Sequence, residues 1–226
     1  MDLGDHLIAY CERHSADWTA EPLNALSNLA FFLAGWRLWR SAAASPPDRA
    51  APQRCLAVLI GLVGAGSLAF HTLATVWAQI LDVLFIGIFN LAFLILFLRH
   101  VARWPLVAAL AAGVGFVALD RGAGAVLPAT AMNGSVLYLP ALAVLLVLTA
   151  TARRVAPPAG ARMTRACAVF CVSLTARSLD QALCASWPAG LHFVWHLLNA
   201  WVLYSLGRGL WDPGMGPPRT TAVPPA

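Results

Sequence analysis

Seven runs of mostly apolar residues, at roughly 22–40, 55–75, 78–98, 104–120, 134–151, 164–184 and 190–208, dominate this chain. A helix needs about 20 such residues to cross the hydrocarbon of a bilayer, where only helices or closed barrels satisfy their own backbone. The runs predict an all-α membrane protein, a seven-transmembrane helix bundle. Composition agrees: 11% of residues are charged, against about 25% in a soluble domain. Residues 1–21 read as a polar, acidic extracytoplasmic loop, and 22–208 as one transmembrane domain. Residues 209–226 read as a cytoplasmic, Pro-rich, disordered tail. No basic segment followed by an apolar core opens the chain, so a cleavable signal is not expected. "SAAASPPDRAAPQR" and "ARRVAPPAGAR" read as Pro/Arg-rich loops.

The basic residues orient the bundle. All 15 are arginine, and 12 of them fall at alternate span ends: Arg37, Arg40, Arg49, Arg54, Arg99, Arg103, Arg153, Arg154, Arg162, Arg165, Arg208 and Arg219. The positive-inside rule makes that side cytoplasmic. Asp2, Asp5, Glu12, Asp17, Glu21 and Asp120 fall on the other side. An odd number of spans then places the N-terminus outside and the C-terminus in the cytoplasm. The net charge of +5 is accounted for by this topology and calls for no nucleic-acid partner.

Polar residues inside the spans are costly and are functional candidates by default. "GSLAFHTLATVWAQILD" places His71 about one turn from the outer end of the second span. Ser67 lies one turn deeper on the same face, since i and i+4 align on a helix. Asp82 falls about one turn inside the third span. In "HFVWH", His192 and His196 occupy the first two turns of the seventh span and point the same way, with Asn199 continuing their stripe. A lone histidine in a bundle is most often a hydrogen-bonded core residue. Three at one depth, beside a serine and an aspartate, instead read as a metal site. Three imidazoles with an open fourth position suit catalytic zinc.

A second polar cluster is "YCERHSADWTAEPLNALSN". Glu21, Asn24 and Asn28 share a helix face, and Glu12, His14 and Asp17 precede them in the loop. Such an oxygen-rich, outward-facing group suits a hard cation such as calcium, or is simply a helix cap with an interfacial loop. Arg177 and Asp180, three apart, read as an intramembrane ion pair, with Asp180 alternatively facing the site. Cys11 and Cys184 alone among five cysteines lie on the outer side, where a disulfide between them is expected. Cys55, Cys167 and Cys171 read as packing residues. Trp18, Trp77, Trp104 and Trp187 lie near span ends, as in aromatic belts, and Trp195 reads as packing.

"YCE…AEPLNALSN", "GSLAFHTL…LD", "LDQALC" and "LHFVWH", in this order, resemble the alkaline ceramidases. These belong to the CREST superfamily of seven-span membrane hydrolases, with the adiponectin receptors and GPI-anchor remodelling enzymes. The resemblance implies zinc held by His71, His192 and His196, assisted by Ser67 and Asp82. It implies a calcium site that includes Glu12 and Glu21, and pairing of Cys11 with Cys184. The chain departs from the eukaryotic pattern "D-W-C-E-x-N", carrying Ala9, Tyr10, Cys11, Glu12, Arg13 and His14 there. The loss of an acidic ligand weakens the calcium implication. Alanine richness and the lack of lysine suggest a bacterial member, placed in the inner (plasma) membrane.

The function this predicts is a zinc-dependent amidase that cleaves the N-acyl bond of ceramide or a ceramide-like membrane lipid, releasing a fatty acid and a free amine base. The alternatives are a seven-span receptor or scaffold with structural zinc, and a zinc esterase acting on glycerolipids.

Overall fold

A computed structural model describes residues 2–128 and 130–211. These form α1 (Pro22–Ser27), α2 (Leu29–Ala42), α3 (Pro47–Leu73), α4 (Val76–His100) and α5 (Leu106–Val126). A 3-10 segment (Ala131–Tyr138) then leads into α6 (Leu139–Val155), α7 (Pro157–Leu183) and α8 (His192–Gly209). No strand occurs among the described residues; one isolated β-bridge joins His6 to Thr75. Among the described residues, four stretches are long and apolar enough to cross a membrane: Pro47–Leu73, Val76–His100, Leu106–Val126 and Ala131–Val155. The other three predicted spans are weaker candidates for visible reasons. The first is broken at Asn28 into α1 and α2. α7 carries Arg162, Arg165, Arg177 and Asp180. α8 carries His192, His196, Asn199 and Arg208.

Two predicted loops are largely helix. α3 begins at Pro47, inside "SAAASPPDRAAPQR". Between α6 and α7 only Ala156 is non-helical, at φ −150°, ψ 73°. In both cases proline opens the new helix, where its fixed φ suits the first turn and its missing N–H is not needed. A residue before proline is also pushed out of the helical region, which ends α6 sharply. Beyond the predicted end at 208, Leu210 and Trp211 are buried against the bundle. The rest of the predicted tail, 212–226, lies outside the described residues.

α8 lies against α1, α2, α3 and α7, and its buried face runs from His192 through Asn199 and Val202 to Leu206. The core between helices is built from Phe31, Leu38, Ile60, Phe89, Phe97 and Met163 among others. Burying side chains of this size contributes about 1.5–3 kcal/mol each against water; within lipid it is close packing that holds such helices together. One close approach matters for the site. A Cβ on Gly66 would lie 2.9 Å from the Leu81 carbonyl oxygen. Only glycine there lets α3 and α4 touch, which brings Ser67 and Asp82 side by side.

Candidate metal centre

The histidines converge as their helical spacing predicts. His71 stands two residues before the end of α3, His192 is the first residue of α8, and His196 follows one turn on. Their relative exposures are 0, 2 and 1%. One ligand nitrogen from each lies within 4.8 Å of the other two. Ring centroids are 5.0 Å apart for His71–His192, 4.7 Å for His71–His196 and 4.6 Å for His192–His196.

The hydrogen bonds around the rings leave two inner nitrogens bare. His71 Nδ1 pairs with Glu21 Oε2 at 2.5 Å. His196 Nδ1 pairs with Ser27 Oγ at 2.8 Å. With Nδ1 the donor in both, each Nε2 becomes an acceptor, and Ser67 Oγ lies 3.3 Å from that of His196. His71 Nε2 and His192 Nδ1 are buried with no hydrogen-bond partner. Such orphans are rare, because each forfeits about 1–3 kcal/mol of solvation. Three mutually facing imidazoles, two of them fixed from behind, are what a borderline metal needs. Outer partners that fix tautomer and ring orientation are the usual second half of such a site. The residues therefore fit a metal ion, and the all-nitrogen donor set suits zinc.

Asp82 lies beside the Ser67 hydroxyl and within electrostatic reach of His71 and Arg177. The structure thus brings His71, His192, His196, Ser67 and Asp82 to one place. Tyr10 closes one side, its ring stacked on His192 at 3.6 Å between centroids. Burial pushes the Tyr10 phenol above its ordinary range, against the opposing pull of Arg177, so it stays a neutral hydroxyl.

The N-terminal carboxylates are placed differently from the calcium expectation. Glu12 accepts the backbone N–H groups of Leu23 (2.7 Å) and Asn24 (2.9 Å), and so caps α1. Glu21 is 2% exposed and is held by Arg13, Asn24 and His71. Burial alone would raise its carboxyl, but the hydrogen bond and charge of His71, then Arg13 and Asn24, hold it below its ordinary value. The face of Glu21, Asn24 and Asn28 turns inward, and Asn28 Nδ2 donates to the Asn24 carbonyl at 2.8 Å. Glu12 and Glu21 are each committed elsewhere. The histidines are the one group of three or more His, Cys, Asp or Glu placed to share a metal among the described residues.

Asp180 and Arg177 do not pair with each other. Asp180 is fully buried and accepts the N–H groups of Cys11 (3.0 Å), Leu191 (2.6 Å) and His192 (3.0 Å). A carboxylate from α7 thereby serves the free amides at the start of α8, where the helix dipole also favours negative charge. This presents His192. The turn requires Gly190, at φ +63°, where a Cβ would fall 2.1 Å from Asp180 Oδ1. Arg177 instead donates to the Asn133 carbonyl (2.6 Å), Ser135 Oγ (3.0 Å) and Tyr10 Oη (3.2 Å). A disulfide joins Cys11 to Cys184 and fastens the N-terminal segment beside Asp180. Four roles went unread in the sequence: those of Arg13, Ser27 and Tyr10, and the capping role of Asp180. Tyr10, Arg13 and Ser27 all lie in the quoted polar motif, but nothing in its spacing shows what each would touch.

The ceramidase family model matches residues 7–208. This chain belongs to the ceramidase family. The match takes in the N-terminal segment, all eight α-helices but the last residue of α8, and every residue of the centre just described. No individual curated protein matches it. Ceramidase membership implies a hydrolase acting on amide bonds, with a lipid substrate and a place in the membrane.

Proposed function

We propose that this ceramidase-family protein is a zinc-dependent, seven-span membrane amidase that hydrolyses the N-acyl bond of ceramide or a ceramide-like lipid to a fatty acid and a free sphingoid-type base. One observation carries the reading: three buried imidazoles face one another, two of them with an unpartnered nitrogen, directly beside Ser67 and Asp82. A receptor with a closed structural site would need a fourth ligand and no proton carrier.

His71, His192 and His196 would hold zinc, which supplies a Lewis acid and lowers the pKa of water from about 15.7 toward 7. Glu21 and Ser27 keep His71 and His196 in the tautomers that turn Nε2 inward. Asp82 takes the proton of the attacking water and passes it to the amide nitrogen as the C–N bond breaks. Ser67 donates a hydrogen bond to the oxygen of the former carbonyl, where negative charge develops. Water adds across the amide, so one acid and one amine leave.

An apolar cavity lined by Phe31, Phe93, Phe116, Tyr138, Trp195 and Val202 lies between the helices. Trp195 and Asn199 on its wall flank His196 in α8, so an acyl chain in the cavity would present its carbonyl at the histidines. The Cys11–Cys184 disulfide at the histidine end favours the extracytoplasmic side, where disulfides persist. The C-terminus would then be cytoplasmic, and the protein would lie in a bacterial inner membrane. The test is release of fatty acid from labelled ceramide by the purified protein, with a diacylglycerolipid of matched chains in parallel. Cleavage of ester but not amide would reassign the substrate. Full activity in His196→Ala would refute the reading.

A further inference from the structure

Arg13 is a charged side chain that neither the proposed chemistry nor the resemblance uses, yet it is only 1% exposed. Its Nε donates to Glu21 Oε1. Nη1 donates to the carbonyls of Ser15 (2.9 Å) and Asp17 (3.0 Å), and Nη2 to those of His71 (3.0 Å) and Thr72 (3.4 Å). A guanidinium has five N–H donors, and each has an oxygen here. The oxygens come from three separate places: the loop at 15–17, the end of α3 and Glu21. The two α3 carbonyls are ones a helix end leaves without partners, at the negative pole of its dipole. Four carbonyls and one carboxylate around a single positive charge are the surroundings a hard divalent cation usually gathers.

Glu21 links that charge to the histidines. Its Oε1 receives Arg13, while its Oε2 receives Asn24 Nδ2 (2.9 Å) and His71 Nδ1 (2.5 Å). We propose that Arg13 is a built-in cation that orders residues 12–21 and positions Glu21 against His71, so that the histidine centre is supported without calcium. The proposal rests on the reading of the histidines as a metal site. It makes Arg13 a positioning residue acting through Glu21. Removing it would leave Glu21 buried without its cation, and breaking such a pair costs more than the pair contributes. Loss of an outer-shell partner typically weakens metal affinity about 10–100-fold.

The experiment uses the full chain in detergent micelles, in buffers cleared of divalent ions over chelating resin, with or without added millimolar calcium. Zinc affinity is measured by competition with a chromophoric chelator, the order of residues 12–21 by their rate of proteolytic cleavage, and stability by the thermal midpoint. In the natural protein all three should be indifferent to calcium. Arg13→Ala should bind zinc about 10–100-fold more weakly and be cut faster in that segment. Millimolar guanidinium or calcium, entering the vacated ring of oxygens, should restore part of both. Arg13→Lys, which keeps the charge but not the fork, should fall between. Calcium raising the zinc affinity or midpoint of the natural protein would overturn the proposal. So would natural zinc affinity in Arg13→Ala, or a loss that neither ion reverses. If Arg13→Ala does not fold, the natural protein and Arg13→Lys decide. If the natural protein binds no zinc at all, the metal reading fails, while calcium indifference and the cleavage rates still test Arg13.

Discussion

The two ends of α3 treat buried polar groups in opposite ways. Gln53, near its start, is fully buried and has its needs met. Its Nε2 donates to Ser41 Oγ (2.7 Å) and the Leu38 carbonyl (3.5 Å), and Ser45 Oγ donates to its Oε1 (2.8 Å). His71, about 27 Å along the same helix at 1.5 Å per residue, is equally buried, yet its Nε2 has no partner. Around it, Glu21, Arg13, Ser27 and Asp180 are deeply committed, while the inward-facing His71 Nε2 and His192 Nδ1 stay unpaired, as do the Asn24 and Asn28 Oδ1 atoms close by. A polar group whose bonds are closed within the protein is structure. A surrounded, oriented and still unpaired group is held ready for something else.

The largest effect that would sharpen this contrast is at the histidines. His192→Ala or His196→Ala should reduce lipid hydrolysis to background, while the protein still folds and elutes from size exclusion as before. Next comes Asp82→Asn, which should retain zinc and lose about 10²–10⁴-fold in turnover, as expected for a missing proton carrier; loss of zinc instead would make Asp82 a ligand. Ser27→Ala releases only the back of His196, so zinc affinity should fall about 10–100-fold, as read by chelator competition. The smallest functional effect belongs to the far end. Gln53→Leu leaves Ser41 and Ser45 to find other partners and should cost about 1–3 kcal/mol in stability, with hydrolysis and zinc content unchanged. A turnover defect in Gln53→Leu as large as that of Ser27→Ala would break the comparison.

What was legible before the structure follows the same division. His71, His192, His196, Ser67 and Asp82 were found because they sit on long helices, where spacing of four and depth from a span end suffice to place a side chain. The break at Asn28 was invisible, since the apolar run continues through it. The proline-rich segments read as loops from sequence because proline marks both a turn and a first helical residue; only the surrounding packing decides. The calcium expectation treated Glu12 and Glu21 as free oxygens. Whether a loop carboxylate faces a cation, an amide or a guanidinium is set by partners distant in the chain, here Leu23, Asn24, Arg13 and His71. Spacing misled at Asp180 for a related reason. Arg177 is its neighbour along α7, but the amides of residues 191 and 192 reach it from across a turn that only Gly190 permits.

The account stands on the three imidazoles sharing one ion. Elemental analysis of the natural protein and of His71→Ala, purified side by side from the same zinc-supplemented medium, tests this most directly. We expect one zinc per chain in the first and none in the second. Equal metal content in the two, or none in either, would contradict it.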